Sequence, residues 1–121
     1  MLLELHHVQL AMPEGGEQAA RGFYRDILGF GEIEKPEQLR HRGGCWFESG
    51  PIRLHLGVET PFQPAKKAHP ALRVGSLEMM MARLSEKQVS FTKDIDLPGI
   101  KRIYVDDPFG NRIELLEVVS I

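Results

Sequence analysis

From Leu3 to Met12 the chain alternates: Leu5, His7, Gln9 and Ala11 fall on one side, and His6, Val8, Leu10 and Met12 on the other. A period of two predicts a strand with one apolar face. Pro13-Glu14-Gly15-Gly16 ends it. Between Glu17 and Leu28 the period lengthens. Ala20, Phe23, Tyr24, Ile27 and Leu28 recur at helical spacing, and Gly29 follows as a helix stop. Gly31 to Pro36 predicts a short strand, and the polar, basic stretch 37–44 a loop or a sheet edge. Cys45 to Glu48 and Ile52 to Glu59 predict two more strands around a Ser49-Gly50-Pro51 turn. Residues 60–68, with Pro61, Pro64, Lys66 and Lys67, read as a linker.

The pattern then starts again. His69 to Val74 predicts a strand, Ser76 an N-cap, and Leu77 to Gln88 a helix with Leu77, Met80, Met81 and Leu84 inward. Phe91 to Leu97 is strand-like, Pro98-Gly99 a turn, and Ile100–Val105 with Arg112–Val119 a hairpin. In that hairpin's turn Pro108 fixes φ, and Gly110 and Asn111 tolerate positive φ. An internal repeat of about sixty residues accounts for the whole chain. His7 to Met12 aligns with His69 to Val74, and Leu54-His55-Leu56 with Ile113-Glu114-Leu115. The expected fold class is α+β: two βαβββ modules, 1–59 and 69–121, whose cupped, mostly antiparallel sheets carry a helix on one face.

The apolar rows (Val8, Leu10, Met12; Ile52, Leu54, Leu56, Val58; Leu72, Val74; Ile103, Val105; Ile113, Leu115) should pack under the helices. The open face then carries His7, Gln9, Trp46, Glu48, Arg53, His55, His69, Arg73, Arg102, Tyr104, Arg112 and Glu114. Glu114 sits mid-strand between apolar neighbours, costly for a carboxylate without a partner. It is either one half of an ion pair, with Arg112 or Arg73, or a ligand or base.

Composition narrows the partners. A net charge of −2 on 121 residues gives no basic field for nucleic acid. No apolar run reaches the ~18 residues of a membrane span. The N-terminal Met1-Leu2-Leu3-Glu4 lacks the basic start of a signal peptide. Cys45 is the sole cysteine, which excludes an internal disulfide, reads as a small buried hydrophobe and suits a reducing cytoplasm. His6 and His41 are expected outside any site.

His7, His55, His69 and Glu114 come from repeat-equivalent strand positions on the open face. Neutral imidazoles with one carboxylate suit Zn, Ni, Mn, Co or Fe, with coordination positions left for substrate. Arg53, Arg73 and Arg102 could grip an anionic substrate, with Gln9, Trp46 and Tyr104 as pocket wall.

The stretches His7-Val8-Gln9-Leu10, Phe23 to Phe30, His69 to Val74 and Asp107 to Leu115 resemble the vicinal oxygen chelate superfamily. That group holds glyoxalase I, fosfomycin-resistance thiol transferases, extradiol dioxygenases, methylmalonyl-CoA epimerase and bleomycin-resistance proteins. The resemblance implies a His7, His69, Glu114 metal triad, Glu114 also catalytic. His55 stands where glyoxalase I has a glutamate and the epimerase a glutamine. It is a fourth ligand or a polar pocket residue, and the departure weakens a glyoxalase I reading. The resemblance further implies a homodimer, with swapped or unswapped modules. The expected function is a divalent-metal enzyme acting on a small oxygen-bearing substrate by lyase or isomerase chemistry, thiol or water addition, or dioxygenation. The alternative is a metal-free, antibiotic-sequestering protein of the bleomycin-resistance kind.

Overall fold

The computed structural model describes residues 1–119. Its contacts cluster into two units that meet in sequence at Pro64 and Ala65, inside the stretch expected as linker. In the first unit β1 (Val8–Met12) is followed by a helical segment, then β2 (Gly31–Ile33), β3 (Cys45–Ser49) and β4 (Ile52–Val58). In the second, β5 (Ala71–Arg73) is followed by α2 (Leu77–Glu86), β6 (Phe91–Lys93), β7 (Ile100–Asp106) and β8 (Arg112–Val118). Each unit has one four-stranded sheet, of order β1-β4-β3-β2 and β5-β8-β7-β6. In each, the first and last strands pair in parallel and the other pairs are antiparallel. The two βαβββ units are thus copies of one topology.

The apolar rows do pack inward. Leu10, Met12, Leu54 and Leu56 are buried in the first unit, and Ile103, Val105, Ile113 and Leu115 in the second. The first helical segment opens as α1 (Glu17–Ala20) and continues in a π-type turn over Arg21–Arg25. The wide turn is drawn by Asp26 N–H donating to Arg21 O and Leu28 N–H to Phe23 O. It lets the adjacent Phe23 and Tyr24 both bury. Tyr24 stacks on Phe47 with ring centroids 5.5 Å apart, and Phe30 closes the cluster. In α2 the expected cap is present: Ser76 Oγ accepts from Met79 N–H at 3.1 Å. Leu77 and Leu84 are buried, while Met80 and Met81 are half-buried.

Several elements are shorter than the alternation predicts. The first strand begins at Val8 rather than Leu3, because its parallel partner runs out. The register Val8↔Leu54, carried backwards, would set Leu5 opposite Pro51, which has no N–H to offer. The fifth strand begins at Ala71 rather than His69 for a like reason. Pro70 lacks an N–H, and its carbonyl accepts from Glu114 N–H at 3.0 Å. The second helix stops at Glu86, and Gln88 takes φ 60°. The second and sixth expected strands, Gly31–Pro36 and Phe91–Leu97, pair only as Gly31–Ile33 and Phe91–Lys93. Residues 37–42, expected as loop or edge, form a 3₁₀ helix. Beyond it Gly44 (φ +85°) lies so close to the Leu56 carbonyl that no side chain fits.

The β7–β8 turn corrects one expectation. Gly110 does adopt positive φ, but Asn111 does not. Instead Asn111 is buried and braces the turn. Its Nδ2 donates to Asp107 Oδ2 at 3.0 Å, and its Oδ1 accepts from Ala65 N–H at 2.9 Å. Asp107 Oδ1 accepts from Phe109 and Asn111 N–H groups.

Candidate metal and substrate site

Strand register decides which side chains share the open faces. In the first unit Gln9 pairs with His55, and His55 with Trp46. In the second, Ala71 pairs with Glu114, and Glu114 with Tyr104. Glu114 therefore repeats the position of His55, and Tyr104 that of Trp46. His7 and His69 repeat each other too, each two residues before the first residue of its row.

The first unit builds a stack of three rings. His55 lies between Trp46, at a centroid distance of 4.0 Å and an angle of 4°, and His7, at 4.4 Å and 19°. His55 is buried whereas His7 is exposed. Burial, then the neighbouring His7 and His6, push the His55 pKa down from 6.5 to about 4. His55 is thus neutral near pH 7, the form that donates a lone pair to a metal. His6, expected to play no part, lies against the group, its Nδ1 3.1 Å from His7 Nδ1. Arg53 reaches the His6 carbonyl at 3.3 Å and pairs with Glu48 at 3.7 Å. The Gln9 amide lies over Gly57, where an added Cβ would meet its Nε2 at 2.7 Å.

The second unit brings His69 to Glu114. His69 Nδ1 is 2.9 Å from the Lys67 carbonyl, which can only accept, so Nδ1 carries the hydrogen. Its Nε2 lies 3.0 Å from Glu114 Oε1. A nitrogen and a carboxylate oxygen held this close are bridged by a proton or by a metal cation. Glu114 is itself buried, and its Oε2 lies 3.6 Å from Arg102 Nη1. Of the two ion-pair partners expected for it, Arg112 and Arg73, neither is the one found. Arg102 also pairs with Asp94 at 3.2 Å and donates to Tyr104 Oη at 3.2 Å. The Ile95 N–H, more than Arg102, holds the exposed Asp94 carboxyl below its usual range. Tyr104 meets His69 edge-on at 5.4 Å. Arg73 is exposed and shares a row with Arg102 across Leu116.

The expected residues thus form two clusters: His7, His55, Trp46, Gln9 and Arg53 in one unit, and His69, Glu114, Tyr104, Arg102 and Arg73 in the other. Among the described residues no three His, Cys, Asp or Glu side chains gather as a metal site. The donors come as pairs, one in each unit. Sequence reasoning missed Asp94 and the Lys67 carbonyl. Asp94 follows a three-residue strand with no patterning of its own, and a backbone carbonyl leaves no signal in sequence. Cys45 is buried, and burial pushes its thiol up to about 11, so it remains protonated and inert near neutral pH. No described helix is long and apolar enough to cross a membrane.

Residues 4–115 match the profile of the Glyoxalase/Bleomycin resistance protein/Dioxygenase superfamily. A solved glyoxalase family protein from Bacillus anthracis is 45% identical, with a TM-score of 0.94 over 98% of this chain and 97% of that one. A protein named Glyoxylase I 4 from Arabidopsis thaliana is 27% identical over 99% of this chain and 74% of its own length. The fosfomycin resistance protein FosX of Listeria monocytogenes shares the fold at 17% identity, with a TM-score of 0.77 over 97% of this chain and 94% of its own.

Proposed function

This chain belongs to the Glyoxalase/Bleomycin resistance protein/Dioxygenase superfamily, and from that premise we propose that it is a divalent-metal-dependent enzyme acting on a small oxygen-bearing substrate. The observation that carries this reading is His69 Nε2 held 3.0 Å from Glu114 Oε1, with Nδ1 donating to the Lys67 carbonyl. A backbone carbonyl that takes the Nδ1 hydrogen and fixes the tautomer is how metal-binding imidazoles are commonly prepared. His69 and Glu114, with His7 and the neutral His55, are the residues that would hold the metal. The set of three imidazoles and one carboxylate suits zinc, nickel, manganese or iron. We further propose that the chain works as a homodimer, with its modules swapped or unswapped.

When bound, the metal supplies Lewis acidity to adjacent oxygens of the substrate. The chain's own residues do the rest. Glu114 is the catalytic group, since its Oε2 can take or return a proton beside the site. Arg102 orients that carboxylate at 3.6 Å and limits its motion. Trp46 and Gln9 beside His55, and Tyr104 beside Glu114, are the residues that would contact substrate. Lyase or isomerase proton transfer, thiol or water addition, and dioxygenation all use this constellation. The lone buried Cys45 suits a cytoplasmic setting.

The test is turnover of a panel of small vicinal-oxygen compounds by protein stripped of metal and then reloaded. Turnover that needs metal and drops at least ~100-fold in Glu114→Gln supports the reading. Turnover indifferent to metal and to Glu114 overturns it. A second reading, a metal-free binding protein, draws on Arg102 and His69 together satisfying the Glu114 charge. It predicts tight binding without turnover, unchanged by chelators.

A further inference from the structure

Beside the His69–Glu114 pair, and within the same unit, lies a cavity of about 500 Å³. Ser90, Phe91, Thr92, Tyr104, Asp106 and Arg112 line it. Register places Thr92, Tyr104 and Glu114 in one row of the open face, and Asp106 and Arg112 in the next. Tyr104, paired with Glu114 across the strands and edge-on to His69 at 5.4 Å, links the cavity to the candidate metal pair.

The arginines of this unit are not equivalent. Arg102 is occupied by Asp94, Glu114, the Ile95 carbonyl and Tyr104. Arg112 instead lies over the Tyr104 ring at 5.1 Å. Its cross-strand neighbour Asp106, the carboxylate that could have neutralised it, is taken by Lys66 at 3.2 Å. Among the described residues Arg112 enters no ion pair. A guanidinium stacked on a ring and left without a carboxylate is a fixed fork of donors, shaped for a carboxylate or phosphate. Ser90 and Thr92 add hydroxyl donors to the same cavity.

A larger cavity, of about 600 Å³, lies at the start of α2. Its bases Lys93, Lys101 and Arg102 face the acids Glu78, Asp94, Asp96 and Glu117, and Glu117 already accepts from Leu77 N–H at 2.7 Å. Its acids outnumber its bases, so it offers no spare positive charge for an anion. The Arg112 cavity does.

We infer that the substrate carries an anionic group, a carboxylate or phosphate, which Arg112 binds in the Ser90–Thr92–Tyr104 cavity while its reacting oxygens face Glu114 and His69. This rests on the metal-enzyme reading for the reacting end, but the anion subsite can be tested without metal.

Amide chemical shifts of metal-stripped, chelator-treated protein are followed while inorganic phosphate or acetate is added. Saturable shifts at Thr92, Tyr104 and Arg112 are expected. Binding should weaken by about ten-fold or more in Arg112→Gln and stay unchanged in Arg40→Gln. Arg112→Lys, which keeps the charge but loses the fork, should fall between. Preference for phosphate or for acetate assigns the anion class. Equal binding by wild type and Arg112→Gln, with both folded by circular dichroism, overturns the inference. So does the absence of saturable shifts with either anion. Failure here leaves the metal reading standing, and loss of metal binding leaves this titration unaffected.

Discussion

Acidification should destabilise the folded chain through His55, which is 5% exposed and clamped between His7 and Trp46. A neutral imidazole packs well between two flat rings. A protonated one would bring a charge into a buried slot beside a second imidazole, and burial is the main reason the pKa falls from 6.5 to about 4. The folded state thus binds this proton more weakly than the unfolded chain. The stability His55 contributes is fully present above about pH 6.5, and it is lost as pH falls through about 4. At about 1.4 kcal/mol per pH unit, the drop corresponds to at most about 3 kcal/mol. That is a large share of the ~5–15 kcal/mol available to a domain. The assay is urea unfolding of metal-stripped wild type and His55→Gln between about pH 8 and about pH 4, because other titrating groups cancel in the difference. The difference should be flat near pH 7 to 8 and shift by about 2–3 kcal/mol against wild type toward pH 4. A difference that stays constant throughout would refute the buried, neutral assignment of His55.

Two further changes test the fold that carries the site. Phe47→Ala removes a fully buried ring stacked on Tyr24, and it should cost about 3–5 kcal/mol in denaturant unfolding; a loss under about 1 kcal/mol would mean the aromatic cluster is not the core of the first unit. Gly44→Ala adds a Cβ against the Leu56 carbonyl at φ +85°, and should cost about 2 kcal/mol or more by the same assay. Unchanged stability would mean the chain does not run as described between the 3₁₀ helix and β3.

Much of this was legible in the sequence because period two and period 3.6 survive in nearly every element. The repeat was legible for the same reason: His55 and Glu114 occupy equivalent register positions, and His7 and His69 stand two residues before their partners Gln9 and Ala71. Alternation overstated the strands at Leu3 and His69, since pattern records only side-chain preference. Hydrogen-bond partners are decided elsewhere, by Pro51 and Pro70. The paired site residues could be read from facing rows. The commitments of the arginines could not, because they depend on loop acids. Asp94, just past β6, claims Arg102, and Lys66, from the linker, claims Asp106. That redistribution leaves Arg112, and not Arg102, outside any ion pair among the described residues. The role of Asn111 was misread because turn propensity and buried bracing favour the same residue type.

The central claim is that His69 and Glu114 hold a divalent metal. Elemental analysis of protein purified without a histidine tag tests it most directly, with His69→Ala and Glu114→Ala measured alongside. The account predicts close to one transition-metal ion per chain in wild type and loss of it in both variants. A wild-type protein that carries no metal, and takes up none of zinc, nickel, manganese or iron when they are added, would contradict it.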